Sequence, residues 1–203
     1  MCIINEPRTL IHFYQATTLT PEQFVAGLTD FAPGRSKLFA NSADEYLKVH
    51  YRGPSEADVT EGSRDIWERL YYDWSDHNRV VLTTTDSNVW ECGSSYTYTF
   101  TRQANRTTEI DVRVARESKN LKGWALGVQL RTFGRRVVKR RFEDSVKAIE
   151  AQNARNVENH QIQSLVTNHA EREQFINACR EELDVKRRKH QRDYEKLAEH
   201  HAD

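Results

Sequence analysis

The sequence predicts an α+β fold in which one long helix closes an antiparallel sheet. Short segments of alternating apolar and polar residues fill much of the region between residues 9 and 116, as half-buried strands require. They are followed by a stretch without proline, residues 121–153, whose apolar side chains recur mostly every three or four positions, as on one face of a helix. A run of strands followed by a long helix is typical of the α+β class.

The first elements are a strand over residues 9–19 and two short helices. Ile11 and Phe13 alternate with polar neighbours, which predicts that they lie on one face of that strand. Thr20 is a suitable helix N-cap, and Pro21 suits the first helical position because its missing N–H has no partner there. A second short helical turn is expected before the next strand.

Six further strands are expected after these helices. They lie at residues 45–52, 57–60, 66–74, 79–85, 92–102 and 108–116. The clearest is 92–102, where aromatic side chains occupy one face and threonines the other. Residues 75–78 are expected to form a hairpin loop between two of these strands.

The predicted closing helix is basic on its outer face. Residues 119–155 hold ten basic and three acidic side chains, although the whole chain carries 30 of each sign. This stripe is either a solvated helix face or a surface for an anion or a partner. Gly123, Gly127 and Gly134 lie within the helix, where each costs about 1 kcal/mol relative to alanine. Close packing, or room for a bound molecule, would explain them.

Several classes of protein lack support in the sequence. The balanced total charge does not favour nucleic acid as a partner, and no apolar run approaches the roughly 18 residues that span a bilayer. No signal peptide, nucleotide-binding loop or zinc-protease motif is recognisable, so we expect no cofactor and no metal. Cys2, Cys92 and Cys179 have no pattern, which favours free thiols in a reducing compartment. We therefore expect a cytoplasmic protein.

Residues 154–203 are predicted to form a charged helical extension to a first domain over residues 9–152. The extension contains no glycine, proline or tryptophan. A thin apolar stripe runs along it, which includes Ile162, Leu165, Val166, Phe175 and Ile176. Such a stripe could fold back on the sheet domain or pair with a second copy to form a homodimer.

Three stretches of the sequence together follow the pattern of a known family. The first is residues 11–28, with T-P-E-Q-F-V after the first strand, and the second is residues 66–90. The third runs from Y-T-Y-T-F-T-R through L-K-G-x-A-L-G to the R-R-V-V-K-R-R-F helix. The pattern resembles the helix-grip fold of the START-like (SRPBCC) superfamily, in particular its polyketide cyclase/dehydrase and lipid-transport members. The resemblance implies a curved sheet of about seven strands wrapped around a long C-terminal helix. The superfamily includes carriers and enzymes, so fold alone does not give function.

The resemblance also implies a ligand cavity between sheet and helix, and alternation selects the side chains that would line it. They are Leu70, Tyr72 and Trp74 on one strand, Tyr96, Tyr98 and Phe100 on another, and Trp124 and Val128 on the helix. Tyrosine and tryptophan carry a polar atom that needs a partner when buried, which favours a cavity. The alternative is that these side chains fill a packed core.

Glu68 is the candidate catalytic residue. If Leu70 and Tyr72 point inward, the two-residue period of a strand carries Glu68 inward with them. A buried carboxylate is either paired or shifted to a higher pKa, which suits a general acid or base. The other register would place Arg69 and Tyr71 inside and expose Glu68.

Two functions remain open at the level of sequence. The first is binding or carriage of a hydrophobic small molecule, such as a lipid or polyketide, with or without cyclase-like activity. The second is a non-catalytic interaction module whose C-terminal helix recruits a partner or a second copy.

Overall fold

The computed structural model describes residues 9–39 and 43–200 of the chain; for residues 168–170, 179, 183 and 189–200 it describes only the backbone. The strands are β1 (Thr9–Thr17), β2 (Lys48–Arg52), β3 (Glu56–Gly62), β4 (Trp67–Asp76), β5 (Arg79–Ser87), β6 (Ser95–Arg102) and β7 (Thr108–Arg116). The α-helices are α1 (Pro21–Leu28), α2 (Leu121–Gln129) and α3 (Arg135–His200). Short 3₁₀ helices lie at Arg35–Lys37 and Asp44–Tyr46, and a π-helical segment at Leu130–Gly134 joins α2 to α3.

The seven strands form one antiparallel sheet with the order β1-β7-β6-β5-β4-β3-β2. Strand β1 pairs with β7 along its whole length, from Thr9 opposite Arg116 to Thr17 opposite Thr108. The remaining neighbours are consecutive in the chain, so β2 to β7 form a meander and β1 adds to it as an edge strand beside β7. The predicted α+β plan, a curved sheet with a long C-terminal helix, is confirmed.

The core lies between one face of this sheet and the first part of α3. Alternation places Ile11 and Phe13 of β1 in the core, together with inward side chains of the other strands. From α3, Phe142 and Ile149 pack onto them. The inner side of α1 joins this cluster through Phe24, and the hydroxyl of Thr20 caps α1 as the sequence predicts.

The glycines of the closing helix mark close packing. A Cβ added at Gly123 would lie 2.0 Å from the carbonyl oxygen of Val89, so only glycine lets α2 approach the connection between β5 and β6. At Gly127 the added Cβ would meet the hydroxyl of Ser118 at 3.1 Å. Close packing is therefore the explanation at Gly123. The single long helix expected from sequence is interrupted by the π-helical segment.

Two predicted boundaries are wrong for local reasons. The loop between β4 and β5 is shorter than residues 75–78, because Asp76 pairs with Arg79 and accepts a hydrogen bond from the backbone N–H of Asn78. Strand β6 begins at Ser95 rather than at residue 92, because Gly93 has a positive φ of 91° within a turn.

The expectation of free cysteines is wrong for Cys92, which is in a disulfide. The chain has three cysteines; Cys2 and the side chain of Cys179 lie outside the described residues. Disulfides persist mainly in oxidising compartments, so the cysteine argument for a cytoplasmic location no longer holds. A cytoplasmic location stays a prediction without that support.

The chain divides into two compact units, residues 1–153 and 154–203. The first contains the sheet, α1, α2 and the beginning of α3. In the second, the rest of α3 exposes Val157, Ile162 and Phe175 among other apolar side chains. Across residues 9–39 and 43–200, no helix has the length and apolar composition that crossing a membrane would require.

Candidate functional site

A cavity of about 160 Å³ lies in the first unit between the sheet and α3 and is partly open to solvent. The sheet contributes Glu61, Tyr72, Leu82, Tyr96, Tyr98, Val112 and Val114 to its lining. The α1–β2 region contributes Leu28, Arg35 and Phe39, and α3 contributes Val138, Arg141, Phe142 and Ser145. The lining is thus mostly apolar and aromatic, with a few polar groups.

Stacked aromatic rings form one wall of the cavity. The ring of Tyr98 stacks on Phe142, with centroids 5.5 Å apart and planes 11° from parallel. Phe142 also meets Phe13 and Phe24, each with a centroid separation of 5.8 Å. Because each ring contacts others, this wall is held in one arrangement by packing from the sheet, α1 and α3.

A buried ion pair forms another part of the lining. Arg35 is only 2% exposed, and its Nε donates to Glu61 Oε2 at 3.0 Å. The same guanidinium donates to the hydroxyl of Tyr72 at 3.0 Å, and that hydroxyl donates to Glu61 Oε1 at 2.7 Å. Its Nη1 donates to the carbonyl oxygens of Leu28 and Asp30. Every polar group of this trio is engaged, as burial of charge requires.

A second buried ion pair lies beside the cavity, on β4 and β7. Arg116, also 2% exposed, donates from Nη1 and Nη2 to the two oxygens of Glu68, at 2.8 and 3.2 Å. Thr84 donates to Glu68 Oε2 at 3.0 Å. The Arg116 guanidinium also lies 3.9 Å from the ring centroid of Tyr96, which is a cation–π distance.

The tyrosines of the lining stay protonated near neutral pH. Burial raises the pKa of Tyr96 to about 12. Burial, reinforced by the charge of Glu61, raises the pKa of Tyr72 well above its ordinary value. The pKa of Tyr98 is raised by burial and by its neighbours Tyr96 and Glu61. These hydroxyls therefore act as neutral hydrogen-bonding groups and not as bases.

The two buried arginines stay charged. Burial by itself lowers the pKa of Arg35, but the facing Tyr72 and Glu61 raise it by more, so the net direction is upward. The same balance holds for Arg116, where Glu68 and Tyr96 outweigh burial and raise its pKa. Each pair is therefore an ion pair in the folded protein.

Glu68 points inward, in the register that also buries Leu70 and Tyr72. Both of its carboxylate oxygens are engaged by Arg116, and one of them also by Thr84. Glu68 is not among the side chains that line the cavity. This geometry fits a residue that holds Arg116 in place; a catalytic role for Glu68 stays a prediction.

The structure brings Tyr72, Tyr96 and Tyr98 together in the cavity lining. Leu70 and Phe100 are buried in the core outside that lining, and Trp74 packs partly buried against the core. A role for any of these residues in ligand binding stays a prediction.

The expectation that Trp124 and Val128 face the cavity is wrong. They are 55% and 39% exposed and do not belong to the lining. The reason is that α2 turns Gly123 and Gly127 toward the rest of the fold, which leaves Trp124 and Val128 on its other sides. The helical part of the lining comes from α3 instead.

Sequence reasoning missed Arg35, Glu61 and the lining residues of α3. Val138, Phe142 and Ser145 are spaced by four and three residues, so helical periodicity could have selected them. Arg35 follows a turn and starts a short 3₁₀ helix, where no periodic signal predicts burial. Arg141 belongs to the basic outer face that the sequence predicts for the helix, and it is exposed while also contributing to the lining.

Two hydroxyl groups in the lining have no protein partner among the described residues. They belong to Tyr98, which is 8% exposed, and Ser145, which is 9% exposed. Neither oxygen is sealed from the cavity, so both remain available to a bound molecule.

As for metals, no three histidine, cysteine, aspartate or glutamate side chains of the described residues are placed to hold an ion.

Comparison with known proteins shows the fold. No family model and no curated protein matches the sequence. Solved structures do match, among them TTHA0849 from Thermus thermophilus, with 13% identity over 70% of this chain and 98% of that chain and a TM-score of 0.56. The Zhui aromatase/cyclase from Streptomyces sp. R1128 matches over 73% of this chain and 94% of that chain, with 11% identity and a TM-score of 0.54. A START superfamily protein from Mycobacterium smegmatis matches over 70% of this chain and 95% of that chain, with 11% identity and a TM-score of 0.51.

The chain has the helix-grip fold of the START-like superfamily. In this helix-grip protein the sheet curves around the first part of α3, and the cavity lies where sheet and helix face each other. Because the sequence identities are only 11–13%, these similarities show the fold alone. The chemistry of the cavity has to be inferred from the residues of this chain.

Proposed function

We propose that the protein binds a small hydrophobic molecule, about the size of one aromatic ring, in the cavity between the sheet and α3. The observation that supports this proposal is the cavity itself, with its mostly apolar and aromatic lining and a few polar groups. Pockets that bind small molecules have this composition. The similar structure from Streptomyces is an aromatase/cyclase, and the shared helix-grip fold motivates a ring-shaped ligand.

The volume limits the ligand. A cavity of about 150 Å³ holds benzene, whereas drug-sized ligands occupy roughly 300–1,000 Å³. The cavity here has about 160 Å³. A lipid chain or a polycyclic polyketide would fit only with much of its length outside the open side, so a ligand of one ring is the better match.

Binding is favoured over catalysis by the state of the acidic group in the lining. Glu61 is the carboxylate of that lining, and Arg35 and Tyr72 engage both of its oxygens. A carboxylate held in this way is poorly placed to accept a proton from a ligand. We therefore propose a binding or carrier function, with cyclase chemistry as a secondary hypothesis.

The test is a titration with p-cresol, a neutral one-ring compound, followed by NMR. Burial of roughly 200 Å² of apolar surface corresponds to about 5 kcal/mol, or a dissociation constant of hundreds of micromolar. We expect saturable shifts confined to residues around the cavity. Val138→Trp should remove binding by filling the cavity, and Val137→Trp should retain it because Val137 is exposed. Absence of saturable binding in the wild type, or equal binding by both variants, would show the proposal to be wrong.

A second candidate function is self-association through the helical extension. Within the second unit, Ile162, Leu165 and Val166 are exposed, as are Phe175 and Ile176. Apolar side chains at such spacings on one helix are typical of a helix that pairs with another. A second copy of the chain would supply a matching helix.

A further inference from the structure

We propose that the ligand is an anion, a small aromatic carboxylate whose acid group lies between Arg141 and Ser145 at the mouth of the cavity. This inference rests on the proposed binding function and specifies its ligand class. It is carried by three features of the lining: an unpaired cation, two unpartnered hydroxyls and an aromatic wall.

Arg141 is the unpaired cation. It contributes to the lining from α3 while remaining exposed, as expected of a side chain at the mouth of the cavity. Among the described residues it has no ion-pair or hydrogen-bond partner, and the nearby Glu143 is engaged by Lys139 at 3.7 Å. The other arginine of the lining, Arg35, is fully engaged by its neighbours.

The lining of the cavity therefore carries a net positive charge. Arg35 and Glu61 cancel each other as an ion pair, and Arg141 adds one positive charge. A carboxylate at the mouth would be attracted to this charge, and an amine would be repelled. Arginine is also suited to a carboxylate because its planar guanidinium can donate two parallel hydrogen bonds to the two oxygens.

The hydroxyls of Ser145 and Tyr98 supply the remaining polar contacts. Ser145 lies one helical turn after Arg141, so both side chains share a face of α3 and can approach one acid group. Tyr98 lies opposite α3 on β6, and its buried hydroxyl can donate to a ligand because burial keeps it protonated. Neither hydroxyl has a protein partner among the described residues, so a ligand can hydrogen-bond to both without breaking a bond within the protein.

The ring of the ligand would lie against the wall formed by Tyr98 and Phe142, with Leu82 and Val138 around it. Aromatic rings pack favourably against such a wall in stacked or edge-to-face geometry. The ligand class that combines these contacts is an aromatic acid of about one ring, with its apolar end inside and its carboxylate at Arg141.

The test compares p-toluate with p-toluamide, which has nearly the same shape and no charge, by isothermal titration calorimetry. For the wild type we expect the acid to bind about tenfold more tightly than the amide, because a charge-assisted hydrogen bond is roughly twice as strong as a neutral one. Arg141→Gln should abolish this preference while leaving amide binding nearly unchanged. Arg140→Gln, which removes the same charge from the neighbouring exposed position, should preserve the preference.

The outcomes separate the two proposals. If neither compound binds, the proposed binding function is wrong and this inference falls with it. If the amide binds as tightly as the acid, or if Arg141→Gln and Arg140→Gln behave alike, the cavity binds neutral ligands and only the inference is wrong. Thermal melts of both variants should match that of the wild type, because both arginines are exposed.

Discussion

Arg35 and Arg116 are each buried against a glutamate, and each makes further contacts with a tyrosine. Removing such charges from water costs several kcal/mol per ion, and the attraction within the pair offsets this only when the geometry is good. The Arg35 pair meets that condition, since Leu28 and Asp30 supply carbonyl acceptors for the remaining N–H groups. These pairs fix the positions of the polar groups in and beside the cavity.

Glu61→Gln should therefore destabilise the protein strongly, because it keeps the shape of the side chain but leaves the Arg35 charge unpaired. We expect a loss of about 3–5 kcal/mol in the free energy of unfolding, measured by urea denaturation. Glu22→Gln is the matched control, since it breaks the exposed ion pair with Arg102, and should cost about 0–1 kcal/mol. Similar losses for the two variants would mean that the Arg35 pair is hydrated.

The resemblance predicted a cavity, and alternation in the sequence then selected Tyr72, Tyr96 and Tyr98, which do lie in its lining. It could not find Arg35, because that residue lies outside the strands and is buried by contacts distant in sequence. It misplaced Trp124, because the inward side of α2 is occupied by glycine, which carries no hydrophobic signal. Local pattern thus predicted which strand residues point inward, but not which of them reach the cavity, since Leu70 and Phe100 lie in the core outside the lining. It predicted the contacts made by loops and glycines poorly.

At the scale of elements, the approach of α1 to α3 depends on one glycine. A Cβ added at Gly27 would lie 2.7 Å from Cγ2 of Ile149, closer than packed atoms can approach. Both residues are buried, so the two helices meet directly at this point. The contact also holds Phe24 of α1 near Phe142, in the aromatic wall of the cavity.

Gly27→Val should therefore push α1 away from α3. We expect a loss of about 1–3 kcal/mol in stability from overpacking, measured by chemical denaturation. Combining it with Ile149→Ala, which makes room for the new side chain, should give a total loss smaller than the sum of the two single losses. Strict additivity would show that the two positions do not touch.

Element types were easier to predict from the sequence than their ends. Thr20 and Pro21 marked the start of α1 correctly, because capping depends on adjacent residues alone. The π-helical segment Leu130–Gly134 was not predicted, since nothing in the local spacing distinguishes it from an α-helix. The continuation of β4 to Asp76, which shortens the hairpin loop, involves a hydrogen bond from the backbone N–H of Asn78 to Asp76 that pattern alone does not specify.

At the scale of the whole molecule, the division after Asn153 leaves the complete sheet, α1 and the lining residues of α3 in the first unit. The predicted boundary between domains falls in the same part of α3 and stays a prediction until the two parts are separated experimentally.

Ending the chain after Ala154 should therefore leave a folded protein that retains p-cresol binding. We expect a cooperative thermal melt and an unchanged near-ultraviolet circular dichroism spectrum.

Light scattering should give a dimer mass for the full chain and a monomer mass for the shortened one, if self-association is the role of the extension. A molten shortened chain would contradict the domain boundary, and equal masses for both would contradict self-association.

The pairing of β1 with β7 has a consequence for how the chain is made. Strand β1 leaves the ribosome first, but its partner follows about a hundred residues later. At roughly 5–20 residues per second, β1 waits on the order of 5–20 s with the apolar side chains of Ile11 and Phe13 uncovered. Such long-range pairing makes folding slow, since the large loop must close before its contacts form. The interval between the synthesis of β1 and that of β7 is thus when the growing chain leaves its apolar strand faces most open to aggregation.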